Sequence, residues 1–558
     1  MRTRTGAQIV LDVLADEGVE VAFGYPGGAI MPLYDALYGH TVRHILVRHE
    51  AAAAFAASGY ARSTGRPGVC IATSGPGATN LITGIADAML DNIPLVALTG
   101  QVRTSVHGTD AFQEVDIVGA TAGFTKSAVV VTHVDEIEPA LRRAFELARG
   151  PRPGPVLVDL PTDVMKATTS APGHATRRRN TFAQCGDETV TAALQAISQS
   201  ARPLAMVGGG VRWNATQAYR RFCALTRMPS CSTLHGIGAP HPGDPRYFGM
   251  AGMHGSKRAN MAIQQADCII ALGMRFDDRI TGDPKLFAPN ARTIIHADID
   301  PTEFGKSVRC DIALRGDIVA TLEALTRLAE EAALPCYDAW TAHIRHEDEA
   351  LPVDPARSSH LSATDTLDAF LAELPSDAIV ATDVGQHQMW AAQRIRPRDA
   401  QSFLSSGGLG SMGFGLPAAI GAQIAHPDRP VFCVIGDGGF QMCMAELATL
   451  RRYDLPVKIL LIDNAHLGMV RQWQQIFFDD RRSETHLPEN PEFSTIASAY
   501  EIRAERISGG DNPAAAIHRF IHTRGAALLH CSCHPFENVW PLIPSGTSVA
   551  QMIEALPA

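Results

Sequence analysis

Across 558 residues, this chain lacks what several classes of protein require. No apolar run reaches transmembrane length, so a helical membrane span is excluded and no membrane partner is expected. The one basic cluster is Arg177-Arg178-Arg179, and the formal net charge is −10, which argues against nucleic acid as a partner. Eleven cysteines are scattered along the chain. The closest pair, Cys531 and Cys533, has neither zinc spacing nor a partner pair, and an odd total gives no disulfide framework. The N-terminus leads into an amphipathic helix and not into a signal h-region, so a reducing cytoplasm is expected. A complete Gly-x-Gly-x-x-Gly fingerprint is missing too, because Gly208-Gly209-Gly210 runs on into Trp213-Asn214.

What is present is an α/β pattern. Hydrophobic content of 46% with 19% charge is that of a soluble globular protein, and the length is too great for one core. Glycine turns repeatedly follow short β-branched strands. Two aperiodic segments, residues 171–187 and 351–359, read as linkers. They divide the chain into residues 1–170, 188–335 and 360–535, with a proline-rich tail at 536–558 that is expected to pack over another surface.

The organising stretch is residues 431–473. Residues 431–435 form an apolar run that reads as a buried parallel strand, broken by Gly436-Asp437-Gly438-Gly439. Phe440, Met444 and Leu447 then recur at helical spacing, and a second buried strand ends at Asp463-Asn464. If the strands are parallel neighbours, Asp437 and Asn464 meet at the edge where open α/β sheets bind ligands. A carboxylate and an amide oxygen are hard ligands suited to Mg²⁺, and the glycines let backbone amides approach a phosphate. The unit is therefore suited to a metal-bridged diphosphate. A capping Asp and a turn Asn are the plainer alternative. Residues 68–80 repeat the layout of strand, glycine turn and helix, which suggests two related domains. Glu50 follows another strand at the start of an Ala-rich helix, where a helix N-terminus stabilises its charge.

Gly436-Asp437-Gly438 followed by Asn464 resembles the thiamine diphosphate signature. The remainder resembles the catalytic subunit of the acetohydroxyacid synthase (acetolactate synthase) family. The resemblance rests on residues 23–31, Arg48-His49-Glu50, 72–80, 108–114, 252–255, 275–279, 383–388, 410–415 and 467–473, in the family's order along nearly the whole chain. Residues 469–474 look closest to a bacterial isozyme whose acceptor preference is set by a Trp. Two positions depart from the pattern: Gly439 stands where many members have Ser, and Thr162 where a Lys is usual.

The resemblance implies three doubly wound parallel-sheet domains that bind the pyrimidine, FAD and the diphosphate. It implies decarboxylation of pyruvate on thiamine diphosphate, with transfer of the two-carbon unit to pyruvate or 2-oxobutyrate. Glu50 would be the carboxylate on the aminopyrimidine ring, with Gly28 and Gln113 catalytic beside it and Pro76 and Asn80 on the cofactor. Met412 would bend the cofactor, and Gly410 would offer its backbone to the amino group. Gly385, Gln386, His387, Gly438 and Gly439 would hold the diphosphate. His466 would complete the Mg²⁺ shell with Asp437 and Asn464. Arg279, Phe112, Met469 and Trp473 would bind the acceptor, and Arg152, Gly208, Gly209, His254, Arg275 and Asp298 the FAD. The resemblance further implies a homodimer or homotetramer with active sites between chains, and a small regulatory subunit in many members. For Arg279 taken alone, a surface ion pair with Asp277 or Asp278 is the plainer reading. A flavin-dependent pyruvate oxidase, a catabolic synthase without FAD, an NAD dehydrogenase and a non-catalytic nucleotide-binding protein are the alternatives. Residues 275–279 and Trp473 count against the first two, and the incomplete fingerprint against the others.

Overall fold

The computed structural model describes residues 3–171, 184–332, 334–347 and 360–556. Most of the linker expected at 171–187, the cluster Arg177-Arg178-Arg179 within it, and the whole of 351–359 lie outside these residues. Three six-stranded sheets are described, and every strand pair in them is parallel.

The first sheet contains β1 (Val21–Gly24), β2 (Arg43–Leu46), β3 (Gly68–Ala72), β4 (Leu95–Gln101), β5 (Ser127–Val130) and β6 (Pro155–Pro161). The second contains β7 (Pro203–Val207), β8 (Ser230–Ser232), β9 (Tyr247–Met250), β10 (Cys268–Leu272), β11 (Thr293–Asp298) and β12 (Ile312–Arg315). The third contains β13 (Ile379–Thr382), β14 (Phe403–Ser405), β15 (Val431–Gly436), β16 (Lys458–Asp463), β17 (Arg503–Ile507) and β18 (Ala527–Ser532). The central strands read as unbroken apolar runs because helices cover both faces; β3, β4, β10, β15 and β16 are buried at nearly every residue.

Strand order decides where ligands can sit. The first sheet runs β2-β1-β3-β4-β6-β5 and the third β14-β13-β15-β16-β18-β17, so the two share one topology. Each reverses direction between its first and third strands. The second sheet runs β9-β8-β7-β10-β11-β12, the dinucleotide-binding order, and reverses between β7 and β10. The glycine turns that stood out in the sequence follow the strands at these crossings: Gly27-Gly28 after β1, Gly75-Pro76-Gly77 after β3, Gly208 to Gly210 after β7, Gly385 after β13 and Gly436 to Gly439 at the end of β15.

The helix expected across Phe440, Met444 and Leu447 is interrupted. Asp437–Cys443 and Leu447–Tyr453 are α-helical, and Met444–Glu446 between them is a 3₁₀ turn. The turn directs Glu446 inward, where its buried carboxylate accepts the Arg48 amide (2.8 Å) and the Thr449 hydroxyl (2.6 Å). Spacing alone did not reveal this, because the partner lies 398 residues away.

The first and third sheets are joined by helices Glu50–Thr64 and Gly415–Ala425, which bury small residues against one another: Ala56 and Gly59 against Gly421 and Ala418. The backbones touch. A Cβ added at Gly59 would fall inside the Ala418 carbonyl, and one at Gly421 inside that of Ala56. The tail from residue 536 lies against loops of the middle sheet. The Ile543 amide donates to the Met253 carbonyl (2.9 Å), and the Asp283 amide to that of Thr547 (2.8 Å).

Gly421→Val should therefore lower the urea midpoint of the chain by the equivalent of at least about 1–3 kcal/mol, the usual cost of overpacking, because the clash is with backbone that cannot rotate away. An unchanged midpoint in a urea titration would mean that the helices part without cost.

Candidate functional site

Parallel pairing of β15 with β16 brings the ends of both strands to one edge. Asp437 opens the helix after β15, and Asn464 follows β16. Both are buried. The amide of Asn464 is oriented from behind: its Nδ2 donates to Gln386 Oε1 (3.1 Å), while its Oδ1 takes the His466 amide (3.2 Å) and keeps acceptor capacity. Gln386 Nε2 in turn donates to Gln472 Oε1 and to the Glu537 carbonyl, both at 2.9 Å. The side chain of Gln386, expected at the diphosphate, is thus fully used inside the protein, which leaves its backbone for a phosphate.

A second carboxylate missed in the sequence stands beside Asp437. Asn490 Nδ2 bridges Asp437 Oδ2 (2.7 Å) and Asp463 Oδ1 (3.0 Å). Burial first, then the charge of Asp463, push the Asp437 carboxyl well above the usual carboxylate range. Asp463 is kept ionised by His530, at 2.8 Å from its Oδ2, and by the Ala465 amide, despite the burial that opposes this. A crowded buried pair of this kind is relieved by a divalent cation. The His387 ring is wedged between Gly385 and Gly436, where an added Cβ at either would sit 2.9 Å from its Cε1. Burial lowers its pKa to about 4, and its Nε2 has no partner among the described residues. An orphaned nitrogen beside a glycine cradle and a cation-seeking carboxylate fit a metal-bound diphosphate.

Met412 and Gly410 lie on the loop after β14. Asp383, at the end of β13, is the buried anchor of that loop: its carboxylate accepts the amides of Val384 (2.9 Å), Gly413 (3.1 Å) and Gly415 (2.8 Å). Burial raises its pKa to about 6. Residue type gave no sign of this role.

One cavity of about 1250 Å³ runs from this edge to the middle sheet, larger than the roughly 300–1,000 Å³ of a typical single-ligand pocket. Gly385, His387, Gly410, Met412, Asp437, Gly438, Gly439, Asn464, His466 and Met469 line one end. Arg152, Gly209, His254, Arg275, Arg279 and Asp298 line the rest. Gly208 stands behind the wall, packed on Gly273 and Met274. Arg152 pairs with Asp300 and with Glu303 (3.0 Å), and its Nε donates to Asn92 Oδ1 (2.7 Å). Burial lowers the pKa of His254 to about 4.

Helix Gly468–Phe477 places Met469 and Trp473 one turn apart, and the Arg279 guanidinium lies 5.9 Å from the Trp473 ring centroid. Asp278 approaches Arg279 only to 3.9 Å, so the ion pair of the plainer reading is weak. Trp473 itself does not line the cavity, and its indole N–H has no partner among the described residues.

The first sheet carries a separate group. Glu50 begins its helix and accepts Asn80 Nδ2 on Oε2 (2.9 Å), leaving Oε1 beside Gly77. Gln113 holds a positive φ of 62° against Gly75. Gly28 faces open space, and Pro76 and Phe112 are exposed, Phe112 by 87%. Within the single chain, none of Gly28, Glu50, Pro76, Asn80, Phe112 or Gln113 lines the cavity of Asp437.

Three family descriptions match the chain in order. They are the N-terminal TPP binding domain of thiamine pyrophosphate enzymes at residues 4–120, the central domain at 190–325 and the C-terminal TPP binding domain at 383–531. The acetolactate synthase isozyme 2 large subunit of Escherichia coli (strain K12) is 49% identical over 99% of this chain and 100% of its own length. A probable acetolactate synthase large subunit of Methanocaldococcus jannaschii is 42% identical over 99% and 95%. Acetolactate synthase 3, chloroplastic, of Brassica napus is 43% identical over 99% and 87%.

The chain belongs to the acetolactate synthase large-subunit family.

Acetolactate synthases of this family use thiamine diphosphate, Mg²⁺ and FAD, and in this chain the turn after β7 faces the same cavity as Asp437 and Asn464. Asp437→Ala should abolish magnesium-dependent binding of thiamine diphosphate, because Asp463 is already committed to His530, Asn490 and Ala465 and cannot replace it. Calorimetric titration with both ligands decides this; unchanged affinity would place the diphosphate elsewhere.

Proposed function

We propose that this chain is a carboligase acting on 2-oxoacids in branched-chain amino-acid biosynthesis. It decarboxylates pyruvate and joins the two-carbon unit to pyruvate or to 2-oxobutyrate, giving 2-acetolactate or 2-aceto-2-hydroxybutyrate. The observation that carries this reading is Arg279, which lines the same cavity as Asp437 and Asn464 and stands against Trp473: a cation for an acceptor carboxylate next to an apolar platform. Thiamine diphosphate, when bound, supplies the electron sink for decarboxylation and carbon–carbon bond formation.

The protein's own groups do the rest. Asp437 and Asn464, with His466, hold the magnesium, and the backbone of residues 385–387 and 438–439 receives the diphosphate. Met412, on the loop that Asp383 fixes, would pack against the cofactor and hold its conformation. Glu50 holds and returns a proton at the aminopyrimidine ring, with Oε1 free for that bond while Asn80 keeps Oε2 in place. Gly28 and Gln113 would be catalytic with Glu50, Gln113 also lining the acceptor pocket. Arg279 takes the acceptor carboxylate, and Phe112, Met469 and Trp473 shape the pocket around its side chain. Arg152, Gly209, His254, Arg275 and Asp298 hold FAD, which undergoes no net redox change because carboligation transfers no electrons to an acceptor.

Because Glu50 is off the cavity in one chain, the active unit is a dimer in which one chain's Glu50 faces its partner's cofactor. Exposed apolar residues on both halves, Met31 and Phe112 on one and Met442, Val470 and Phe478 on the other, give that contact its apolar surface. A small regulatory subunit and a cytoplasmic setting belong to the same reading. No helix among the described residues is long and apolar enough to cross a membrane.

Two mutations test these roles. Glu50→Gln should cut turnover by at least about 10²-fold, the scale of a general acid–base group, with folding retained. Near-normal turnover would remove Glu50 from the chemistry. Trp473→Leu should collapse the preference for 2-oxobutyrate over pyruvate as acceptor. An apolar pocket gains roughly 10–200-fold from one methylene, and the donor step makes no use of the indole. Product ratios in a competition assay measure this; an unchanged ratio would make Trp473 a packing residue.

A further inference from the structure

Arg212 stands in the turn after β7, at the crossing of the middle sheet. It is 7% exposed and lines the cavity beside Gly209, Gly210 and His235. No carboxylate, carbonyl or hydroxyl among the described residues bonds its guanidinium. A buried, unpaired cation is strongly disfavoured.

The nearby acids are spoken for. Asp91 accepts four donors: His235 Nε2 (2.8 Å) and the Gly408 amide (2.7 Å) on Oδ1, and Arg62 Nη2 (2.8 Å) and the Gly407 amide (3.1 Å) on Oδ2. Asp87 is taken by Arg62, Ser406 and Ser411. Burial, with repulsion from Arg62, lowers the pKa of Arg212 to about 10, so the side chain remains charged at neutral pH. A Cβ added at Gly209 would sit 2.7 Å from Arg212 Nη2, so the glycine turn and the guanidinium form one surface. Helix Ala215–Thr226 begins just beyond, without a side-chain cap. In this sheet order a dinucleotide diphosphate lies at that crossing, on a glycine fingerprint that this chain carries incompletely.

We infer that Arg212 is a flavin-binding residue that pairs with the diphosphate of FAD and supplies the anion contact that the incomplete fingerprint lacks. The inference rests on the FAD assignment, and the test reads the two separately.

Flavin-free wild type, Arg212→Gln and Arg212→Lys are titrated with FAD and with riboflavin, which has the ring but no phosphate, and binding is followed by flavin fluorescence. Tighter binding of FAD than of riboflavin by wild type reports the cofactor site on its own. Arg212→Gln should weaken FAD at least about tenfold, the scale of one charge-assisted contact, and leave riboflavin unchanged, and Arg212→Lys should recover part of the loss. If the Gln variant does not fold, the Lys variant is compared with wild type, with a smaller loss confined to FAD. Equal FAD affinity in wild type and variant, or parallel losses of FAD and riboflavin, would overturn the inference.

Discussion

The arrangement depends on one buried guanidinium. Arg62 is 3% exposed and has both Asp87 and Asp91 on Nη2 at 2.8 Å, while its Nη1 donates to the Ser405 carbonyl at 3.0 Å and the guanidinium lies over Phe414. Arg62 and the two acids come from the first sheet's helices and Ser405 and Phe414 from the third domain; His235, on Asp91, comes from the second. Burial lowers the pKa of His235 to about 4, so at neutral pH it is an uncharged N–H donor. Against the burial that opposes it, His235 and then Arg62 hold the Asp91 carboxyl well below the usual carboxylate range. Loss of one partner from such a network leaves a buried charge uncompensated, at about 3–5 kcal/mol. Replacement of all partners by apolar groups costs far less, so the network reads as a device for orientation more than for stability.

What it orients is the loop after β14. Asp91 takes the amides of Gly407 and Gly408, Asp87 the hydroxyls of Ser406 and Ser411, and Asp383 the amides of Gly413 and Gly415. Three carboxylates from two sheets therefore hold a glycine-rich loop that would otherwise have many conformations. Met412 rides on it. The loop is a shared wall: residues 406–410 and Met412 line the same cavity as His235 and Arg275. The two ends of the cavity thus depend on one set of buried ion pairs.

The sequence carried the local half of this. β15 and β16 were legible because β-branched runs end in glycine or in Asp-Asn, and the edge at Asp437 and Asn464 followed from parallel pairing alone. Non-local partners were illegible. Asp91 and Gly407 are 316 residues apart, Arg48 and Glu446 398 apart, and nothing in their residue types selects them. The break at Met444–Glu446 escaped for the same reason: local spacing favours one helix, and a distant backbone amide draws Glu446 out of it. Asn490, which bridges Asp437 and Asp463, lies in an irregular segment before a proline, and nothing local marks it as a partner of either acid. For Arg279 the residues alone favoured an ion pair; the family resemblance assigned Arg279 and Trp473 separately to the acceptor, and their closeness in the fold was not legible in the sequence.

The two departures from the family pattern have local causes. Thr162 stands where a Lys is usual, and its hydroxyl donates to the carbonyl of Ala29 or of Gln101, each at 3.0 Å. It thereby ties the turn carrying Gly28 to the end of β4, an anchor that a long flexible ammonium would make at greater entropic cost. Gly439 stands where many members have Ser. A Cβ there would collide with Asp383 Oδ1, the oxygen that holds the amides of Val384 and Gly413. With serine, the carboxylate would have to rotate and release part of the Met412 loop, or the helix start at Asp437 would have to shift. In this chain the glycine lets the anchor and the metal-binding turn pack in direct contact. The residue at 439 is therefore constrained by Asp383, at the end of the strand that pairs directly with β15, and not only by the turn in which it lies.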